Sequence, residues 1–396
     1  MPLKYPIFLD HCSTTPVDES VLEAMLPYFR EQFGNPGTSH PDLGGVAQRA
    51  VRKAREQVAD LLVCHPNEII WTSGATESNN LAIFGFTGTL AANKRHLITQ
   101  VTEHSAVLEP LRSLEKAGWK VSYLPVDNSG LINVDQLKRE ISSDTALVSI
   151  MWGNNEIGTI QDVNAIGDVC REAGVPWHCD AAQTVGKVEI DLSEVHAEFL
   201  TVSAHKIYGP KGAGALYIRD LSKRNDIAPQ LLGGEQEKGV RSGTLNVPGI
   251  VGLGHACELA ARNMEIWNQR IRSLREQFER QILDGLNKVK INGNDFRLPH
   301  ISNLSFDGIE NEDALTMMPE LVASTGSACH TASFQPSHVL KALGSNTEEC
   351  SLRFGFGKDN TAEEVDAAVG LVIEAIKSCR ALTQESSGVC SSDSKD

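Results

Sequence analysis

The sequence predicts an α/β protein: a large domain built on a mostly parallel sheet covered by helices, and a smaller α+β C-terminal domain. Three observations predict it. β-prone runs alternate with helical stripes from residue 68 to about residue 219, the signature of strand–helix–strand units. Several of those strands run into turns rich in Gly, Ser, Thr and charged residues, where sheets of this kind bind ligands. Beyond Val247 a long helical pattern (Ile250, Leu253, Met264, Trp267, Ile271, Leu274, Phe278, Ile282) reads as a spine joining one domain to a second.

In chain order, Phe8-Leu9-Asp10 is a short apolar entry before capping residues. A helix is expected from Asp18 to about Phe29. The turn formers of Phe33–His40 follow. A helical stripe then runs through Val46, Ala50, Ala54, Val58, Leu61 and Leu62, with Arg49, Arg52, Lys53 and Arg55 as its solvated face. After the strand that opens at Glu68, strands are expected at His96–Gln100, Lys120–Val126, Ala146–Trp152, Val175–Asp180, Leu200–Ser203 and Ala215–Arg219. Helices are expected at Ser105–Lys116, Val134–Ile141 and Val163–Ala173. Residues 15–260 read as the large domain, and 1–14 with 261–383 as the small one. Residues 384–396, Ser-rich and polar, read as a disordered tail.

Composition excludes whole classes of function. A chain of 396 residues exceeds one ordinary core. No apolar run reaches the ~18 residues of a membrane span. A formal charge of −15 argues against a general nucleic-acid binder, which needs concentrated Lys and Arg. Nine cysteines without CxxC pairs suit reduced thiols in a cytoplasm-like compartment. The N-terminus, Met-Pro-Leu-Lys-Tyr, has neither the apolar core of a secretory signal nor the face of a transit peptide.

Chemistry concentrates at strand ends. Phe199-Leu-Thr-Val-Ser-Ala-His-Lys-Ile-Tyr-Gly-Pro delivers Ser203, His205 and Lys206 to the mouth of a strand. A lysine there loses its solvation, so its amine becomes nucleophilic nearer neutral pH and can form a Schiff base with an aldehyde such as pyridoxal phosphate. Taken alone, Lys206 is more simply a surface lysine. Thr72-Ser73-Gly74-Ala75-Thr76 passes from strand to helix, an anion cradle by physics or an ordinary Ser/Thr cap. It is not a Walker loop, since no Gly-Lys-Ser/Thr follows. Asp180 can pair with a pyridinium nitrogen or cap a helix. A metal set His178-Cys179-Asp180 is disfavoured because strand side chains alternate between faces. His104 can stack on a flat cofactor or cap the helix after it. Each signal is weak alone, and the set in this order is strong.

The motifs Ser73-Gly-Ala-Thr-Glu-Ser-Asn-Asn, Thr102-Glu-His104, Asn154-Asn-Glu-Ile-Gly, Asp180-Ala-Ala-Gln183, Ser203-Ala-His-Lys206, Arg241-Ser-Gly-Thr244 and Ser324-Thr-Gly-Ser-Ala-Cys329 resemble those of the cysteine desulfurases. These are pyridoxal-phosphate enzymes of the class V aminotransferase family, with the fold type I architecture, and the likeness is to their IscS/NifS branch. It covers Phe8 to about Ser378. The resemblance implies that Lys206 holds the cofactor covalently, while Ala75, Thr76, Ser203 and His205 bind its phosphate, with Thr244 contributed from the other subunit of a homodimer. It further implies Asp180 at the pyridine nitrogen, Gln183 at the ring hydroxyl and His104 on the ring face, with proton relay. Asn155 and Arg353 would hold the carboxylate of L-cysteine, with Asn35 as a helper. Cys329, in a run of small residues suited to a swinging nucleophile, would take the sulfur as a persulfide and leave alanine. The sulfur would pass to an acceptor such as an iron–sulfur scaffold, in the cytoplasm and without direct nucleic-acid or membrane contact.

Two departures bear on detail. Lys358 stands where the family often has a second arginine, which rests carboxylate binding on Arg353. His330 directly follows the loop cysteine, a feature shared with selenocysteine lyases, the close alternative. An aminotransferase or β-eliminating lyase of the same fold is a second alternative, and a non-catalytic sulfur-relay scaffold a third. Cys64, Cys170, Cys257, Cys350 and Cys379 read as small buried hydrophobes. The sequence supports no role for Cys12 or Cys390.

Overall fold

The computed structural model describes residues 3–90, 94–220, 227–309, 311–325, 337–344 and 350–389. In chain order the strands and helices are β1 (Ile7–Phe8), α1 (Glu19–Met25), α2 (Pro27–Arg30), α3 (Gly44–Leu62), β2 (Ile69–Thr72), α4 (Ala75–Asn80), β3 (His96–Gln100), α5 (Ser105–Lys116), β4 (Lys120–Leu124), α6 (Val134–Glu140), β5 (Thr145–Ser149), α7 (Val163–Ala173), β6 (Trp177–Asp180), β7 (Phe199–Ser203), β8 (Gly214–Ile218), α8 (Val247–Gly285), β9 (Val289–Ile291), β10 (Ile301–Phe306), α9 (Asn311–Thr316), β11 (Leu321–Val322), α10 (His338–Ala342), β12 (Cys350–Gly355) and α11 (Ala362–Val389).

The large sheet has the order β2-β8-β7-β6-β5-β3-β4. Every pairing from β4 through β7 is parallel, and β8 runs antiparallel to both of its neighbours. Successive residues feed opposite faces, as strand geometry requires. Ile69 and Trp71 enter one apolar cluster and Ile70 another, and Tyr217 parts from Leu216 and Ile218 in the same way. Both faces are therefore covered, the rule for parallel sheets. The carboxyl ends of β2, β3, β5, β6 and β7 open at one edge, where the antiparallel β8 begins at Gly214.

A second lobe holds the three-stranded sheet β12-β10-β9 and the parallel pair β1–β11. Its core includes Ile7, Leu9, Phe278, Leu304, Phe354 and Val372. Helix α8 runs for 39 residues, about 58 Å at 1.5 Å per residue. Its first half (Ile250, Leu253, Ala256) packs in the large core and its second half (Ile271, Leu274, Phe278, Ile282) in the small one. The expected spine is thus one continuous helix.

Three expectations need correction. The helix from Asp18 is divided at Leu26, because Pro27 has no N–H to continue the ladder and starts α2 instead. Residues 384–389 do not leave regular structure: α11 continues to Val389, and the rest of the supposed tail lies outside the described residues. Arg55 is not on a solvated face. It donates to Glu237 (3.0 and 2.7 Å) and stacks on Trp71 (5.1 Å), while the Trp71 N–H donates to the same carboxylate (2.9 Å). Periodicity could not reveal that a partner 182 residues away would cover it.

The small lobe's core is tested by Phe354→Ala. Phe354 is fully buried, its ring centroid 4.7 Å from that of Phe278. Truncation should cost about 3–5 kcal/mol, read as a lower denaturant midpoint. An unchanged midpoint would mean that this core does not stabilise the lobe.

Candidate active site

Strand β7 ends at Ser203, and a single tight turn over Ala204–Lys206 follows. It puts Lys206 over the sheet edge, half-buried, with Nζ donating to the main-chain oxygens of Cys12 (2.5 Å) and Ser13 (2.7 Å). Burial lowers the Lys206 ammonium to about 8, the change needed for a nucleophilic amine. A second lysine lies behind it. Lys187 is buried, its Nζ donates to the Lys206 carbonyl (2.7 Å), and burial together with the Lys206 charge brings it to about 7.

Asp180 sits at the end of β6, buried, at the head of a polarised chain. Asn79 Nδ2 donates to Asp180 Oδ2 (2.7 Å), and Asn79 Oδ1 accepts from Thr201 Oγ1 (2.6 Å). Thr201 has then spent its proton, so it accepts from His178 Nε2 (3.3 Å), and His178 Nδ1 accepts from Ser149 (2.8 Å). Burial holds the His178 imidazole down at about 4, so it stays neutral in this role. Both ring nitrogens of His178 are thus engaged in hydrogen bonds. Among the described residues no group of His, Cys, Asp and Glu is arranged to hold a metal.

Of the two roles expected of His104, the structure shows the helix cap. Its Nδ1 caps α5 by accepting from the Ala106 N–H (3.1 Å), which leaves the ring proton on Nε2. Burial keeps the imidazole below its ordinary range. The ring is thereby fixed as a neutral N–H donor near Asp180 and Lys206. Gln183 Nε2 donates to the Cys12 carbonyl (2.9 Å), and its Oε1 meets His300 Nε2 (3.2 Å).

The turn after β2 and the start of β8 approach each other closely. Gly74 has φ +148°, a conformation side chains rarely adopt, and a Cβ on Gly214 would lie 2.5 Å from Gly74 Cα. Ala75 and Thr76 open α4 beyond this turn. Ser203 Oγ is buried without a hydrogen-bond partner. His205 Nδ1 meets Thr14 Oγ1 (3.1 Å), and burial lowers its imidazole to about 4. An orphaned buried hydroxyl on the residue paired with Gly214, beside the Gly74 turn, fits a bound phosphate. Arg241 donates to Glu77 (2.7 Å), whose other oxygen accepts from the Ser73 N–H (2.8 Å), tying the Arg241–Thr244 segment to this turn.

Arg353, on β12, reaches in from the small lobe and is only 3% exposed. Its Nη2 donates to Asp10 (2.9 Å) and its Nη1 to the Asn155 carbonyl (3.0 Å), while Nε has no partner. Beside it the Glu156 carboxyl is buried and pushed up to about 7, against the pull of Ser337 and Arg353. Lys358 is committed elsewhere, to Asp18 (3.0 Å) and Asp359 (2.9 Å). Asn35 is exposed, with Oδ1 accepting from the Gly37 N–H, and Thr244 is exposed too. Cys329 and His330 lie outside the described residues.

The structure thus gathers Lys206, His104, Asp180, Gln183, Ser203, His205, Asn155 and Arg353 at one edge. It adds residues that sequence reading missed: Asp10, Asn79, Lys187 and Glu156. Asn79 and Glu156 lay inside the quoted motifs, and Asp10 in the apolar entry. Lys187 gave no local signal.

Comparison with known proteins follows the same lines. The model of the family described as aminotransferase class-V matches residues 7–368. A protein named cysteine desulfurase IscS from Methylococcus capsulatus is 46% identical over 384 residues, 96% of this chain and 95% of its own. One of the same name from Neisseria meningitidis is 46% identical over 386 residues, 97% of this chain and 95% of its own. A solved structure titled NifS-like protein superposes with a TM-score of 0.87 at 36% identity, covering 94% of this chain and 99% of its own. Another, SspA in complex with cysteine, gives 0.78 at 37% identity, over 89% of this chain and 99% of its own.

Only the neutral amine adds to an aldehyde, so uptake of pyridoxal phosphate by the cofactor-free protein should accelerate as pH rises through about 8. An exposed lysine would respond only near 10.4. Stopped-flow absorbance across this range measures the midpoint, and one above about 10 would contradict the burial effect.

Proposed function

The chain belongs to the class-V aminotransferase family, and on that premise we propose the following reading of its site. The protein is a pyridoxal-phosphate-dependent cysteine desulfurase that converts L-cysteine to L-alanine and carries the sulfur as a persulfide on Cys329. The observation that carries this reading is the convergence on one sheet edge of a half-buried lysine amine, a buried Asp180 and a buried, half-satisfied Arg353.

Lys206 binds the cofactor through Nζ. Ala75, Thr76, Ser203 and His205 hold its phosphate, Asp180 faces its ring nitrogen, Gln183 its ring hydroxyl and His104 its face. When bound, pyridoxal phosphate supplies an electron sink that stabilises negative charge at the substrate Cα. Arg353 binds the substrate carboxylate with Asn155, and its unpartnered Nε is a donor for that purpose. Asn35 is a weaker helper. Lys206 Nζ, once free, takes the Cα proton, and His104 Nε2 moves a proton at the substrate sulfur. The Cys329 thiolate attacks that sulfur. The new S–S bond forms as the Cβ–S bond breaks, the electron pair left on Cβ takes a proton, and Lys206 returns the proton to Cα, giving alanine. Sulfur is oxidised and carbon reduced, so no outside oxidant is needed.

The site lies between two lobes, 15–260 and 1–14 with 261–383, and the two separate apolar clusters support that division. The working form is a homodimer in which Thr244 contributes to the partner's phosphate site. The row of exposed apolar side chains Leu22, Leu26, Phe29 and Phe33 supports a self-association face. A sulfur acceptor such as an iron–sulfur scaffold takes the persulfide onward. Cytoplasmic placement draws support from seven free cysteines among the described residues. No described helix is long and apolar enough to cross a membrane.

Two substitutions test the assignment. Lys206→Ala should lower alanine formation by about 10²–10⁴-fold, as loss of a proton-transfer group does. Cys329→Ser should abolish persulfide on the peptide from residue 323 to 333. Normal alanine and persulfide formation in Cys329→Ser would move the function to another nucleophile, and pyruvate in place of alanine to a lyase. For the dimer, Phe29→Glu with Phe33→Glu should halve the solution mass measured by light scattering, and an unchanged mass would place the interface elsewhere.

A further inference from the structure

Residues 326–336, which include Cys329, lie outside the described residues, but the residues flanking them are well placed. On one side, the Ser324 N–H donates to the Arg353 carbonyl (3.1 Å), and the Ser324 carbonyl accepts from the Arg353 N–H (2.6 Å). On the other, Ser337 is buried at the start of α10. Its Oγ donates to Glu156 Oε2 (2.5 Å) and accepts from the N–H groups of Val339 (3.1 Å) and Leu340 (3.3 Å). Glu156 is itself only 3% exposed. Its N–H donates to Asn154 Oδ1 (2.8 Å), and its carbonyl accepts from Asn303 Nδ2 (3.2 Å). The preceding residue, Asn155, supplies the carbonyl that receives Arg353 Nη1 (3.0 Å). Both flanks of the Cys329 stretch are therefore fastened to one structure, the main chain and guanidinium of Arg353 and the backbone that carries them.

We infer that Glu156 is a positioning residue for sulfur transfer: its carboxyl, by fixing Ser337, sets the attachment of the Cys329 stretch relative to the arginine that anchors the substrate. This rests on the reading of Cys329 as nucleophile and deepens it. The chemistry favours a carboxyl here. A hydroxyl can donate once and still accept from two N–H groups, so Ser337 joins Glu156 to the first turn of α10 without leaving a polar atom unpaired. The partners are buried, so loss of either leaves the other unsatisfied. Since a misplacement of about 1 Å can cost about 10²-fold, a partial loosening should show mainly in the chemical step.

Glu156→Gln, Ser337→Ala and the double variant form the test, each in the full-length protein loaded with pyridoxal phosphate. The turnover number for alanine formation should fall about tenfold in each single variant, with KM for cysteine within about twofold, because Arg353 still binds the carboxylate. The double variant should be no worse than the worse single one, as expected for two residues acting through one bond. A second readout needs no turnover: the alkylation rate of Cys329 by iodoacetamide in the cofactor-free protein should shift by the same several-fold factor in all three. Equal alkylation rates in wild type and variants, or independent effects in the double variant, would overturn the proposal. If Glu156→Gln fails to fold, Ser337→Ala carries both readouts. Failure of the underlying reading looks different: Cys329→Ser would then keep full alanine formation, while the alkylation comparison would still report on Glu156.

Discussion

The passage of the N-terminal segment through the site is the constraint on which the rest depends. Residues 7–11 are stitched into the small lobe: Ile7 pairs with Leu321, the Leu9 carbonyl accepts from the Gly355 N–H (2.7 Å), and the His11 N–H donates to the Gly355 carbonyl (3.0 Å). Four residues later the same strand of chain is fastened to the large lobe, where the Thr15 N–H donates to the His205 carbonyl (2.8 Å). Between these stitches it offers Asp10 to Arg353 and the Cys12 and Ser13 carbonyls to Lys206. The two cations come from lobes joined mainly through α8, and this short span holds them in register. A Cβ on Gly355 would strike Cys12 Sγ at 2.5 Å, so the strand next to Arg353 must approach closely here.

That closeness sets the electrostatics. Lys206, Lys187, His11, His205 and His300 crowd one region, and burial pulls every one of them toward its neutral form. The carboxyl groups of Glu103 and Glu156 are pushed the opposite way by the same burial. The site therefore keeps few fixed charges. Arg353, with Asp10 as its counter-ion, retains its charge because guanidinium cannot be neutralised at ordinary pH. Asp180 is supported by hydrogen bonds rather than by a cation, through the relay that ends at Ser149. Such a site suits chemistry in which an incoming ligand brings its own charges: a phosphate to the glycine-lined turn and a carboxylate to the arginine.

Much of this was legible in the sequence because it is local. Periodicity of two and of 3.6 found β3, α5 and α7 to the residue, and the turn formers after β2 and β7 marked the sheet edge as the place of chemistry. The failures were long-range or backbone-borne. No pattern announces that the Cys12 carbonyl will receive both Lys206 and Gln183, since carbonyls have no sequence. Arg55 looked solvated on its helix because its partner Glu237 lies in a loop with φ +47° that no propensity anticipates. Asn79, four residues past the helix start, reads as a polar filler until β6 brings Asp180 to it. The resemblance of motifs named the chemistry, whereas burial and hydrogen bonding show how these residues are held ready for it.

Lys206, and not its buried neighbour Lys187, is the amine proposed to bind the cofactor. Lys187 Nζ lies against the Lys206 main chain and both amines have lowered affinity for protons, so reactivity alone does not separate them. Reducing the pyridoxal-phosphate-loaded protein with borohydride, digesting it and mapping the stable adduct by mass spectrometry does. A single phosphopyridoxyl group on the peptide that contains Lys206 is expected. An adduct on Lys187, or a protein that takes up no label at all, would contradict it.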